Sequence, residues 1–119
     1  MDIKIKRAYE SPDDTDGCRI LVDRLWPRGI SKEKAKIDFW PKELAPSTEL
    51  RCWYGHDPEK WSEFKSRYFD ELSKHPELLS ELLEYVRKGK VTFVFSSKEL
   101  ELNNAVALKA YIDSLESGS

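Results

Sequence analysis

The sequence is poor in the residues that staple small secreted domains or build metal centres. It holds two cysteines, Cys18 and Cys52, and two histidines, His56 and His75. One disulfide is arithmetically open, but there is no cysteine framework and no CxxC redox spacing, so reduced thiols are expected. A metal centre needs three or four converging ligands. Cys52 and His56 lie four apart, yet Gly55 interrupts the helix that would align them, so no metal is expected, and no cofactor. No apolar run approaches the ~20 residues of a membrane span, which leaves no membrane partner. The chain start lacks the basic and apolar regions of a secretion signal, which points to the cytoplasm. An excess of one charge is missing too. The 20 Lys and Arg nearly balance 22 Asp and Glu, for a net charge of −2. A general polyanion binder carries a basic excess, so nucleic acid is disfavoured as a partner. No internal repeat or low-complexity tract interrupts the chain.

What is there is enough for one core. The 119 residues are 39% hydrophobic and 12% aromatic, with four tryptophans. Such a length fits one domain, read here as residues 1–116 with a frayed tail at 117–119. Ile3-Lys4-Ile5-Lys6 alternates as a half-buried strand near a sheet edge does. Turn-forming residues fill Ser11 to Gly17. Ile20-Leu21-Val22 and Val91 to Phe95 are continuous apolar runs, expected as strands covered on both faces. Ile37 to Trp40 reads as a short strand cut by Pro41.

Helices are marked by their ends. Ser31 caps a short one to about Lys36, and Ser47 caps another to about Tyr54, which Gly55 stops. Asp57-Pro58 starts a helix carrying Trp61, Phe64, Tyr68 and Leu72 on one face. Leu79, Leu82, Leu83 and Val86 mark the next, between His75-Pro76 and Gly89. Ala105, Leu108, Ile112 and Leu115 mark the last. This order predicts an α/β fold: a small, mostly parallel sheet of about four strands flanked by helices in a Rossmann-like three-layer arrangement. The first connection is short enough that strand 1 could run antiparallel.

In an open α/β sheet, ligands collect beyond the carboxyl ends of the strands. Two segments reach that edge: Asp23 to Arg28, and Ser96 to Asn104 ahead of a helix start, where free N–H groups favour anions. LVDRLWPRG (Leu21 to Gly29), LAPSTELRCWYGHDP (Leu44 to Pro58), FKSRYFDEL (Phe64 to Leu72) and VTFVFSSKELELNNAVAL (Val91 to Leu108) occur in this order. Together they resemble the short YeaO-like branch of the DUF488 family, a group of uncharacterised proteins. The resemblance covers nearly the whole chain and implies an α/β fold without implying a known activity. That family commonly carries Asn-His-Ala where this chain has Asn103-Asn104-Ala105, so no acid–base role transfers to Asn104.

Each candidate residue has a structural alternative. Arg24 and Arg28, four apart across a proline-bent turn, can converge on a phosphate, sulfate or carboxylate. Alternatively Asp23 pairs with one of them and holds the turn. Ser96 and Ser97 can donate to an anion, with Ser97 a weak candidate nucleophile, or serve as turn and cap residues. Asn103 and Asn104 can read an amide or cap a helix. His56 can act as acid or base near neutral pH, or tie down a loop. The ligand-binding set is therefore Asp23, Arg24, Arg28, Ser96, Ser97 and Asn104, with His56 and Ser97 as weak catalytic candidates. The expected function is a small-molecule domain for an anionic or phosphate-bearing ligand, with enzymatic activity left open. The rival is a non-catalytic protein-interaction or regulatory module. Oligomeric state is not legible.

Overall fold

A computed structural model describes residues 2–117. The order is β1 (Ile3–Arg7), β2 (Cys18–Leu21), α1 (Lys32–Ala35), α2 (Thr48–Tyr54), α3 (Trp61–Ser73), α4 (Pro76–Lys88), β3 (Val91–Phe95) and α5 (Asn104–Ser117). Of the expected tail, Ser117 closes α5, and Gly118 and Ser119 lie outside the described residues.

The described sheet has three strands in the order β1–β3–β2, with both pairs parallel. The Ile37–Trp40 segment, expected as a further strand, makes only a single bridge from Phe39 to Ile20. The reason is local. The Asp38 carboxylate accepts the Arg19 N–H at 2.9 Å. A side chain thus takes a donor that a paired strand would use, and Pro41 ends the segment. Strand 1 pairs parallel with β3, which lies between it and β2, so β1 and β2 form no hairpin. Residues 8–17 must therefore carry the chain back to the start of the sheet. Gly17 permits that return: its φ is +66°, and a Cβ there would sit 2.3 Å from the Lys90 carbonyl oxygen.

Period-2 alternation sorts the strands onto two faces. Ile3, Ile20, Val22, Val91, Phe93 and Phe95 point into one core, filled by the apolar faces of α2, α3, α4 and α5. Leu21 and Val94 point the other way with Ala8, against Trp26, Ile30, Ile37 and Trp40. Both continuous apolar runs are thus covered on both faces, as an α/β strand requires. The result is a three-layer α/β arrangement: helices, sheet, and a thinner layer of loop around α1.

The helix ends follow their caps. Ser31 accepts from Lys34 N, Ser47 from Leu50 N, and Gly55 closes α2 in the left-handed region. Asp57-Pro58 opens a single 3-10 turn, Pro58–Lys60, before α3. Among the described residues no helix is long and apolar enough to cross a membrane.

Candidate ligand-binding cleft at the strand ends

Beyond the carboxyl ends of β2 and β3 lies a cleft of about 310 Å³. The chain leaves β2 through Val22 into Asp23, and leaves β3 through Phe95 into Ser96, so two neighbouring strands deliver their first loop residues side by side. Val22 N donates to Val94 O at 3.0 Å and holds that register past the end of β2.

Asp23 joins the two loops. Its Oδ2 accepts from Ser96 N at 2.9 Å and Ser96 Oγ at 2.7 Å, and its Oδ1 accepts from Asn104 Nδ2 at 2.9 Å. The Asp23 carbonyl accepts from Trp40 Nε1 at 2.7 Å. Asn104 Nδ2 also donates to Val22 O at 2.9 Å. Among the described residues the partners of the Asp23 carboxylate are thus Ser96 and Asn104, and neither Arg24 nor Arg28 pairs with it. Arg24 donates instead from Nη2 to Ala45 O at 3.0 Å and from Nε to Pro46 O at 3.4 Å.

The cleft gathers Asp23, Arg24, Ser96, Ser97, Asn104 and His56, which come from segments far apart in sequence. It does not take in Arg28, which lines a second cleft of about 280 Å³. The two clefts share Asp23, Arg51 and Ser96. Ser97 is occupied locally, its Oγ accepting from Glu99 N at 3.0 Å. His56 stands exposed just after the α2 cap with φ +57°, a conformation uncommon outside glycine. Its ring lies 6.0 Å from that of Tyr54.

The remaining lining was not legible as a site. Arg51, Cys52 and Tyr54 come from α2, and Asn103 from the cap of α5. Tyr54 is buried, stacks on Phe64 and donates its hydroxyl to Leu102 O at 2.9 Å. Burial, then the charges of Glu99 and Asp57, raise its pKa, so the phenol stays a neutral donor. Asn103 Oδ1 accepts from Val106 N at 2.9 Å and starts α5. The Glu101 and Leu102 amides, aided by the charge of His56, hold the Glu99 carboxyl below its ordinary value. The available signal was that Arg51 and Cys52 lie between the core positions Leu50 and Tyr54 of a capped helix and are not needed for packing. Both cysteines are free.

The charge pattern of the two clefts is one-sided. Among the described residues, none of Arg24, Arg28 and Arg51 forms an ion pair with a carboxylate, and the one aspartate between them has both oxygens occupied by Ser96 and Asn104.

A family model whose description reads "Inactive DUF488-N3 subclade" matches residues 2–117. The chain belongs to the DUF488 family. Within it, the chain is 39% identical over 115 residues to the uncharacterized protein YeaO of Escherichia coli (strain K12), covering 97% of this chain and 100% of that protein. It is 42% identical over 106 residues to uncharacterized proteins of Mycobacterium bovis and Mycobacterium tuberculosis, covering 89% of each. No solved structure matches. Asn104 is a hydrogen-bonding tie from the start of α5 to Val22 and Asp23.

Proposed function

We propose that this chain, folded as one domain, is a cytoplasmic binding protein for a small anionic, phosphate-bearing ligand, which it holds in the strand-end cleft without converting it. The observation that carries the reading is that Arg24 and Arg51 both line the cleft and, among the described residues, neither forms an ion pair with a carboxylate. The one aspartate beside them is tied to Ser96 and Asn104. Among the described residues Arg24 Nη1 has no hydrogen-bond partner, and Arg51 is exposed on α2. The α5 N-terminus lines the same space and adds the positive end of its dipole. Absence of turnover is supported by three further points. Ser97 serves a turn, Asp23 ties two loops together, and the Asn104 amide is neither acid nor base near neutral pH. The description of the matched subclade as inactive agrees with this.

Calorimetric titration with ribose 5-phosphate and inorganic phosphate at low salt tests the reading, since screening weakens exposed charges. Arg24 also holds two carbonyls, so the clean variant is Arg51→Ala. A hydrogen bond to a charged group is worth ~1.5–3 kcal/mol, so the variant should bind roughly 10- to 100-fold more weakly with an unchanged melting temperature. A wild-type protein that gives no heat with either probe overturns the proposal and favours the interaction-module reading.

A further inference from the structure

The second cleft adjoins the first, with Asp23, Ser96 and Arg51 lining both. Its chemistry differs. Tyr9 and Leu25, two of the most exposed large hydrophobic residues, line it at 49% and 66% exposure. Exposed apolar side chains beside a charged cleft suggest a ligand that is part ionic and part apolar.

Tyr9 is held as a platform. The Arg7 guanidinium lies over its ring, 5.1 Å from the centroid. Arg7 is itself fixed, donating from Nε to Ser97 O at 2.9 Å and from Nη2 to Ser96 O at 3.1 Å. The Tyr9 hydroxyl donates to Arg28 O at 3.1 Å. One ring face is thus covered by a cation anchored in the β3 loop, and the ring edge is tied to the β2 loop. The ring is ordered before any ligand arrives, so stacking on it costs little further entropy.

Each cleft alone lies near the lower end of the ~300–1,000 Å³ range of small-molecule sites. A phosphate fills only a small part of either. We infer that one ligand spans both clefts: a nucleoside phosphate, its phosphate at Arg51 and Arg24 and its base stacked on Tyr9 beside Leu25. Stacking on an aromatic face tolerates any base, because every base presents a π surface. This inference rests on the anion-binding reading of the first cleft and adds the class of ligand to it.

Titrating AMP, GMP, CMP and UMP against ribose 5-phosphate separates the two. At least one nucleotide should bind the wild-type protein about tenfold more tightly than ribose 5-phosphate, a difference set by stacking. Tyr9→Ala should reduce that nucleotide to the ribose 5-phosphate level and leave ribose 5-phosphate itself unchanged. Tyr9→Phe should retain most of the preference. Tyr9 is exposed, so both variants should keep the wild-type melting temperature. If ribose 5-phosphate binds as tightly as all four nucleotides, or Tyr9→Ala weakens both probes alike, the spanning ligand is wrong while the anion site stands. If no probe binds, both readings fall together.

Discussion

Asp23 presents two oxygens, and both are acceptors. Ser96 N and Ser96 Oγ donate to one, and Asn104 Nδ2 donates to the other. An amide at this position must turn its NH2 group toward a donor whichever way it flips, since the Ser96 amide cannot accept. Asp23→Asn should therefore cost about 1–3 kcal/mol, the range for leaving a buried polar group badly paired. The loss should appear in urea unfolding as a lower midpoint with an unchanged slope. An Asp23→Asn protein as stable as wild type would show that the tie between the β2 and β3 loops contributes nothing. The importance of Asp23 was legible from its position after an apolar run. Its partners were not, because Ser96 and Asn104 lie more than 70 residues away and only the parallel pairing of β2 with β3 brings them to it.

At the scale of elements, α2 matters most to the site because it carries Arg51. Its start at Ser47 and stop at Gly55 were legible, since cap residues act on their own backbone. What seats the helix on its neighbour was not. Ser47 Oγ accepts from Leu50 N at 3.1 Å and donates to Glu71 Oε2 at 2.6 Å, and Ser47 N donates to Glu71 Oε1 at 2.9 Å. One serine thus caps α2 and docks it on α3. Ser47→Ala should cost about 1–2 kcal/mol. In a double-mutant cycle with Glu71→Gln the coupling should exceed ~0.5 kcal/mol, the usual limit for independent sites. Additive losses would mean that cap and dock are separate. The expected strand at Ile37–Trp40 shows the limit of local pattern. Its residues alternate suitably, but Asp38 takes the Arg19 amide and only one bridge forms.

Across the whole molecule, charge is distributed unevenly despite the small net value. The strand-end clefts are lined by three arginines and one carboxylate, Asp23, while the thin layer on the other side of the sheet contains a compact ionic cluster. Asp16 is fully buried and accepts from Lys4 at 3.0 Å, Lys6 at 3.2 Å and Arg19 at 2.6 Å. Burial alone would raise its pKa. The bonds from Lys4, the Asp13 amide, Lys6 and Arg19 outweigh burial and hold the carboxyl well below the usual range. A carboxyl with a native pKa below its unfolded value, ~3.9, stabilises the fold fully above that pH and loses the contribution as pH falls further. Asp16→Asn leaves Arg19 and Lys6 buried without a counter-charge, so it should cost about 3 kcal/mol at pH 7. The gap to wild type should close progressively below about pH 4, as the unfolded chain's carboxyl takes up a proton that the native carboxyl still resists. Urea unfolding of both proteins between pH 7 and pH 2 measures it, and a gap constant over that range would rule out the cluster as its source.

Local chemistry alone determined the helix ends and the two apolar strands, with Asp23 and Arg24 following one and Ser96 and Ser97 the other. Capping, period and turn formation act within a few residues and can be read in order. The tertiary structure decided what depends on chain return. It placed β3 between β1 and β2, ran strand 1 parallel to it, and set Lys4, Thr92 and Arg19 in one row. It turned Asp16 from a turn residue into a buried counter-charge. It also sent Arg24 and Arg28 into different clefts and brought Arg51 from a helix to stand in both. Two side chains four apart can point the same way or apart, and the residues between them do not decide it locally: Trp26, in the intervening turn, packs edge-on against the distant Trp40.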